Sequence, residues 1–160
     1  MEGAELMDRL LAVPLVAGLS PAALFSLVRW GEPRRWEPGE ALFAIGDPTD
    51  FVAVLLEGSC RVLAPQPAAV DGEGLVPIAT VAAGEPLGEV SFFTDRPRQV
   101  SIRAGNAPVL ALVFDSVHFE SLLQQSSEFS SGLLREMAVK IVGLYERAGR
   151  QDEAPQPVRP

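Results

Sequence analysis

The segment LGEVSFFTDRPRQVSI (residues 87–102) places Gly88 and Glu89 nine residues ahead of the pair Pro97 and Arg98. A glycine lets backbone approach a ligand closely, N–H groups at the start of a short helix can cradle an anion, and an arginine holds one with a fork of donors. A carboxylate such as Glu89 accepts hydrogen bonds from hydroxyls, a ribose 2′-OH among them. One acid and one base across a short loop therefore suit a compact sugar phosphate. Taken alone, the two dipeptides are better explained as turn residues and a surface arginine.

Other residues able to do chemistry are few. The single histidine, His118, stands three residues after Asp115 at the opening of a predicted helix, which suggests an N-terminal charge and a surface ring rather than a catalytic pair. Metal sites and acid/base dyads draw on several such groups, so an enzyme is not expected, and neither a metal nor a cofactor is. The lone cysteine, Cys60, lies in a hydrophobic strand pattern and reads as a buried thiol. The net charge of −8 argues against a nucleic-acid surface. No stretch approaches the ~20 apolar residues of a membrane span, and the amino end lacks a basic-then-apolar signal layout, so a cytoplasmic location is expected.

The elements that must position the acid and the base follow from periodicity. Leu6, Leu10 and Leu11 have helical spacing ended by Pro14 and Gly18, and Ser20 with Pro21 starts a second helix, so residues 1–31 form a helical segment of two short helices. From there, short apolar runs punctuated by Pro-Gly, Gly-Asp-Pro and Glu-Gly predict about eight antiparallel strands over residues 32–115. The fold class is mainly β with flanking α-helices, a sandwich, jelly roll or barrel. Pro65–Gly74 reads as a long hairpin loop, residues 116–150 as two helices, and the proline-rich residues 151–160 as a disordered tail. In the last helix Leu134, Met137, Ile141, Leu144 and Ala148 alternate steps of three and four, beside a second row of Leu133, Ala138, Val142 and Tyr145. Such a helix offers more apolar surface than one contact covers.

With these elements in place, LGEVSFFTDRPRQVSIRA (residues 87–104) resembles the phosphate-binding cassette of cyclic nucleotide-binding domains. That motif runs Phe-Gly-Glu, a small residue two on, then Pro-Arg-small-small-Thr-Val, and the spacing from Gly88 to Arg98 matches it without a gap. The segments LLAVPLVAGLSPAALFSLV, EPGEALFAIGDPTDFVAVLLEGSCRV and VLALVFDSVHFESLLQ resemble the rest of the family, so the likeness covers nearly all of residues 6–150. It implies an eight-stranded antiparallel β-roll with amino-terminal helices and two carboxy-terminal helices, binding cyclic AMP or cyclic GMP.

By position, the resemblance gives Arg98 the cyclic phosphate and Glu89 the ribose 2′-OH. Gly88 would permit close approach and the N–H of Gln99 would join the phosphate. Leu87, Val90, Ser91, Val100 and Ser101 complete the cassette, and Leu144 and Tyr145 on the last helix lie nearest the base, where Tyr145 is as well suited to a core or dimer seam as to stacking. Leu134, Met137 and Ile141 are read as dimer seam rather than pocket. The chain departs from the motif at Gln99 and Val100, which replace two small residues, at Ser101 for Thr and at Leu87 for Phe. Gln99 could crowd the phosphate or bond to Arg98 in its place. Val100 lacks the hydroxyl that contacts guanine in cyclic GMP-selective members, which favours cyclic AMP.

A stand-alone sensor that moves its last two helices on an unidentified effector protein is the leading expectation, with a homodimer through residues 128–150. Only ten polar residues follow Arg150, so DNA binding is not expected. A dimerisation or interaction module that has lost the nucleotide is the competing reading.

Overall fold

The computed structural model describes residues 3–66 and 74–151. Three helices open the chain: α1 (Gly3–Leu11), α2 (Pro14–Ala17) and α3 (Pro21–Trp30). Pro14 begins α2 rather than only ending α1, because a proline lacks the N–H that the first helical position leaves unused. Ser20 caps α3 as its sequence predicts, its hydroxyl accepting the N–H of Ala23 at 3.2 Å.

Eight strands follow: β1 (Glu32–Trp36), β2 (Ala41–Phe43), β3 (Phe51–Glu57), β4 (Ser59–Pro65), β5 (Leu75–Ala82), β6 (Pro86–Leu87), β7 (Ser101–Ala104) and β8 (Val109–Asp115). They form two four-stranded antiparallel sheets, ordered β1-β8-β3-β6 and β2-β7-β4-β5, which is the β-roll expected. A six-residue helix, α4 (Glu89–Thr94), interrupts the strands between β6 and β7, so the run VSFF is helical. Two helices, α5 (Ser116–Gln125) and α6 (Ser127–Gln151), close the described chain. The strands β4 and β5 pair out to Pro65 and Leu75, with Gln66 N–H on Gly74 O at 2.7 Å. Residues 67–73 of the predicted hairpin loop and all but the first residue of the predicted tail lie outside the described residues.

The two faces of β3 and β8 explain why FVAVLL and VLALVF are apolar throughout. Phe51, Ala53 and Leu55 with Val109, Ala111 and Val113 face the interior of the roll, where Trp36, Phe43, Cys60, Leu87 and Ile102 meet them. Val52, Val54 and Leu56 with Leu110, Leu112 and Phe114 face outward into a second core under the helices, with Leu10, Leu15, Leu27, Phe119, Phe129 and Leu133. One strand pair thus serves two cores, and it fixes the helices to the roll.

Cys60 is fully buried and burial pushes its thiol up to about 11, which leaves it an inert packing group. Asp115 caps α5: its carboxylate accepts the N–H of His118 at 2.8 Å and meets the ring Nδ1 at 2.8 Å. The backbone N–H of His118 is the main reason that the Asp115 carboxyl lies below its usual range. The ring itself stacks on Trp30 at 5.5 Å between centroids.

Candidate functional site

Between the second sheet, α4 and α6 lies a cavity of about 630 Å³. Its floor is the segment from β6 through α4 to β7. Gly88 adopts φ +81°, and a Cβ there would stand 2.8 Å from Arg98 Nη1, so only a glycine lets the turn close over the guanidinium. The residue after it, Glu89, begins α4 and is 2% exposed.

Arg98 is 1% exposed. Nη1 donates to Gly88 O and to Ser91 Oγ, each at 2.9 Å, and Nη2 donates to Phe51 O at 2.5 Å. The guanidinium lies over the ring of Phe43, 3.9 Å from its centroid. These acceptors and the ring are neutral. The carboxylate of Asp50 is 3.8 Å from Nη2 but is itself 72% exposed, and buried Nε has no partner among the described residues. Burial pushes the guanidinium below its ordinary pKa, and Asp50, Asp47 and Glu89 pull it the other way. The floor therefore holds a buried cation whose direct hydrogen-bond partners among the described residues are all neutral, the carboxylate in ion-pair range being the exposed Asp50.

The predicted residues separate into three groups. Leu87, Gly88, Glu89, Val90, Ser91, Arg98, Gln99, Val100 and Leu144 line the cavity together. The side-chain amide of Gln99 is not bonded to Arg98; its Nε2 donates to Pro97 O at 3.0 Å. Ser101 is not part of the lining, and its hydroxyl accepts the N–H of Ile45 at 3.0 Å, fastening β7 to the turn after β2. Tyr145 is likewise not part of the lining and is 71% exposed, so stacking on a base is not prepared in this arrangement.

One expectation about α6 is corrected. Met137 and Ile141 line the cavity rather than belonging only to an outer seam. The inner face of α6 is Met137, Lys140, Leu144 and Arg147, steps of three and four that carry two cations among the apolar groups. Lys140 was not identified as a site residue from the sequence. Its ammonium donates to Pro86 O at 2.5 Å and to Glu89 Oε1 at 2.9 Å. Apolar residues of the roll, Val62, Ile78, Val81 and Ile102, complete the wall, and Thr80 is a hydroxyl among them. The arrangement can hold a small molecule with an anionic group over Arg98, hydroxyls near Glu89 and a flat apolar part between the sheet and α6. Among the described residues, no group of His, Cys, Asp and Glu is placed to hold a metal ion, and no helix is long and apolar enough to cross a membrane.

Comparison with known proteins gives a consistent answer. The family model of the cyclic nucleotide-binding domain matches residues 33–126. The chain is 29% identical over 119 residues to a cyclic nucleotide-gated potassium channel of Mesorhizobium japonicum, covering 74% of this chain and 30% of the channel. It is 28% identical over 137 residues to a CRP-like cAMP-activated global transcriptional regulator of Mycobacterium tuberculosis, covering 84% of this chain and 58% of the regulator. The chain thus spans between about a third and just over half of these relatives' lengths. Among solved structures, a cyclic nucleotide-binding domain from Methylobacillus flagellatus KT superposes with a TM-score of 0.76 at 21% identity, covering 96% of this chain and 88% of that one.

Proposed function

The chain belongs to the cyclic nucleotide-binding domain family, and on that premise we propose that it is a cyclic nucleotide sensor with no reaction of its own. The observation that carries this reading is the guanidinium of Arg98, 1% exposed and met by neutral acceptors. A phosphate that took their place would exchange neutral hydrogen bonds of roughly 0.5–1.5 kcal/mol for charge-assisted ones of roughly 1.5–3 kcal/mol. The ion pairs agree: Lys140 is taken up by Glu89, while Arg98 has only the exposed Asp50 at 3.8 Å, so the buried guanidinium is the cation on the floor open to an anionic group.

In this reading Glu89 accepts the ribose 2′-OH, Gly88 admits the phosphate to the turn, and the N–H of Gln99 joins it. The base lies between Val100, Val62 and Leu144. Val100 offers no hydroxyl to a guanine, which favours cyclic AMP over cyclic GMP. Movement passes to the carboxy-terminal helices by aromatic contact. Phe92 and Phe93 on α4 meet Phe119 on α5 at 4.9 and 6.2 Å, and Phe119 meets Phe129 at the start of α6 at 6.0 Å. A shift of α4 toward a ligand therefore pushes directly on the α5–α6 corner at Ser126. The ligand can move that equilibrium only by its difference in affinity between the two positions.

The outer face of α6 supports a homodimer. Leu134, Val142 and Tyr145 are 67%, 52% and 71% exposed along a helix of roughly 37 Å. A second copy that laid its own α6 on this row would bury both, and an effector protein would then read the position of the pair.

The test is a thermal melt alone and with about 1 mM cyclic AMP, cyclic GMP or AMP. Ligand at a hundredfold of Kd adds about 2.7 kcal/mol to the native state, a rise of several degrees. A rise with cyclic AMP, smaller with cyclic GMP and absent with AMP, is expected. No rise with any of them would favour the interaction module.

A further inference from the structure

We propose that Lys140 is a clamp that holds α6 across the cavity, so that passage of a ligand in or out waits on release of Lys140 from Glu89. The first turns of α6 need no such device. Phe129 and Leu133 are buried there, and Gly132 lies so close to Leu15 of α2 that a Cβ would meet its Cδ1 at 2.8 Å. Beyond Met137 the helix loses that support: Val139, Ile141, Val142, Leu144 and Tyr145 are all exposed. Among the described residues, the ammonium of Lys140 makes the polar contacts that tie this half of α6 to the roll, one to Glu89 and one to Pro86 O.

The pair is unequal. The side chain of Glu89 is 3% exposed and that of Lys140 29%, so the carboxylate depends on the lysine while the lysine has water to return to. Loss of Lys140 strands a buried charge, whereas loss of the charge on Glu89 frees a long flexible cation at little cost. A ribose hydroxyl does not have to expel the lysine. Lys140 occupies Oε1, and a carboxylate has a second oxygen able to accept. A ligand and a closed α6 are therefore compatible, but passage in or out requires the ammonium to leave Glu89. Lys140 is a positioning residue in this account, and it sets rates more than affinity.

Hydrogen exchange of the protein without added nucleotide provides a test that no ligand enters. Amide hydrogen exchange over residues 137–147 is expected to accelerate at least about tenfold in Lys140→Met and in Glu89→Gln, equivalent to about 1.4 kcal/mol of lost protection. The double variant should be no faster than the faster single one, because both remove the same contact. Lys140→Arg should retain protection. Equal protection in wild type, Lys140→Met and Glu89→Gln would overturn the clamp, and the folded, charge-conserving Lys140→Arg guards against misreading a damaged protein. The ligand half rests on the cyclic nucleotide reading. With a fluorescent cyclic AMP derivatised at the base, Lys140→Met should raise association and dissociation rates together, leaving Kd changed less than either. Unchanged rates would also overturn the proposal. If the probe does not bind wild type, the nucleotide reading fails and the hydrogen exchange still decides the clamp.

Discussion

The floor of the cavity and the helix that covers it are built in opposite ways. The floor is short segments locked by backbone: Arg98 N–H donates to Asp47 O at 2.9 Å, Gly46 N–H to Arg98 O at 2.9 Å, and the guanidinium is spent on Gly88, Ser91 and Phe51. The cover is a single helix of 25 residues, anchored at its start and tied in its middle by one lysine. A floor of this kind can be prepared before a ligand arrives, and the cover supplies the moving part. On the proposed reading, recognition belongs to the roll and response to α6.

The largest effect is expected where the floor is broken. Arg98→Met should weaken cyclic AMP binding at least about hundredfold, close to 2.7 kcal/mol, measured by calorimetry. It should also lower the melt of the ligand-free protein, since Gly88 O, Phe51 O and Ser91 Oγ each lose a buried donor at roughly 1–3 kcal/mol apiece, partly offset by removal of a buried cation. On the proposed reading Arg98 thus holds the turn together as well as facing the ligand. Full stability with lost binding would mean that the turn stands without it, and unchanged binding would remove the site.

Much of the floor was legible in the sequence, and the cover was not, for a physical reason. The cassette is local: Gly88, Glu89 and Arg98 lie within eleven residues, so spacing alone brings them together. The strands were legible because Gly and Pro punctuate runs of β-formers. Glu89 and Lys140 are 51 residues apart, and a lysine on an amphipathic helix carries no local sign of which distant carboxylate it meets. The face of α6 was misassigned because the helix is apolar on two sides, so periodicity located both rows without saying which one faces the roll. Ser101 was read as a ligand group because it holds the Thr position of a motif, yet its hydroxyl serves Ile45. A polar atom near a site has more than one possible creditor, and only three-dimensional placement decides between them.

A smaller effect is expected on the outside of the cover. Val142→Ser removes exposed apolar surface from α6, so each protomer should keep its stability within about 0.5 kcal/mol. Self-association should weaken several-fold in sedimentation, by about the loss of one buried apolar side chain, ~1.5 kcal/mol at most. Protection of the inner face by Lys140 should be unaffected. A monomer at all concentrations in the wild type would show that another partner, or none, covers this row.

The smallest effect is expected at the position where the cassette departs most from its motif. The side chain of Gln99 is turned back on Pro97 O at 3.0 Å, and what the phosphate needs there is the backbone N–H, which any residue but proline supplies. Gln99→Ala should therefore change stability by less than about 0.5 kcal/mol and cyclic AMP affinity by less than about twofold. The comparison of floor and cover depends on this being small. If removing four side-chain atoms tightened binding tenfold, Gln99 would be an obstruction that the ligand must move aside, and the floor would have to rearrange as the cover does.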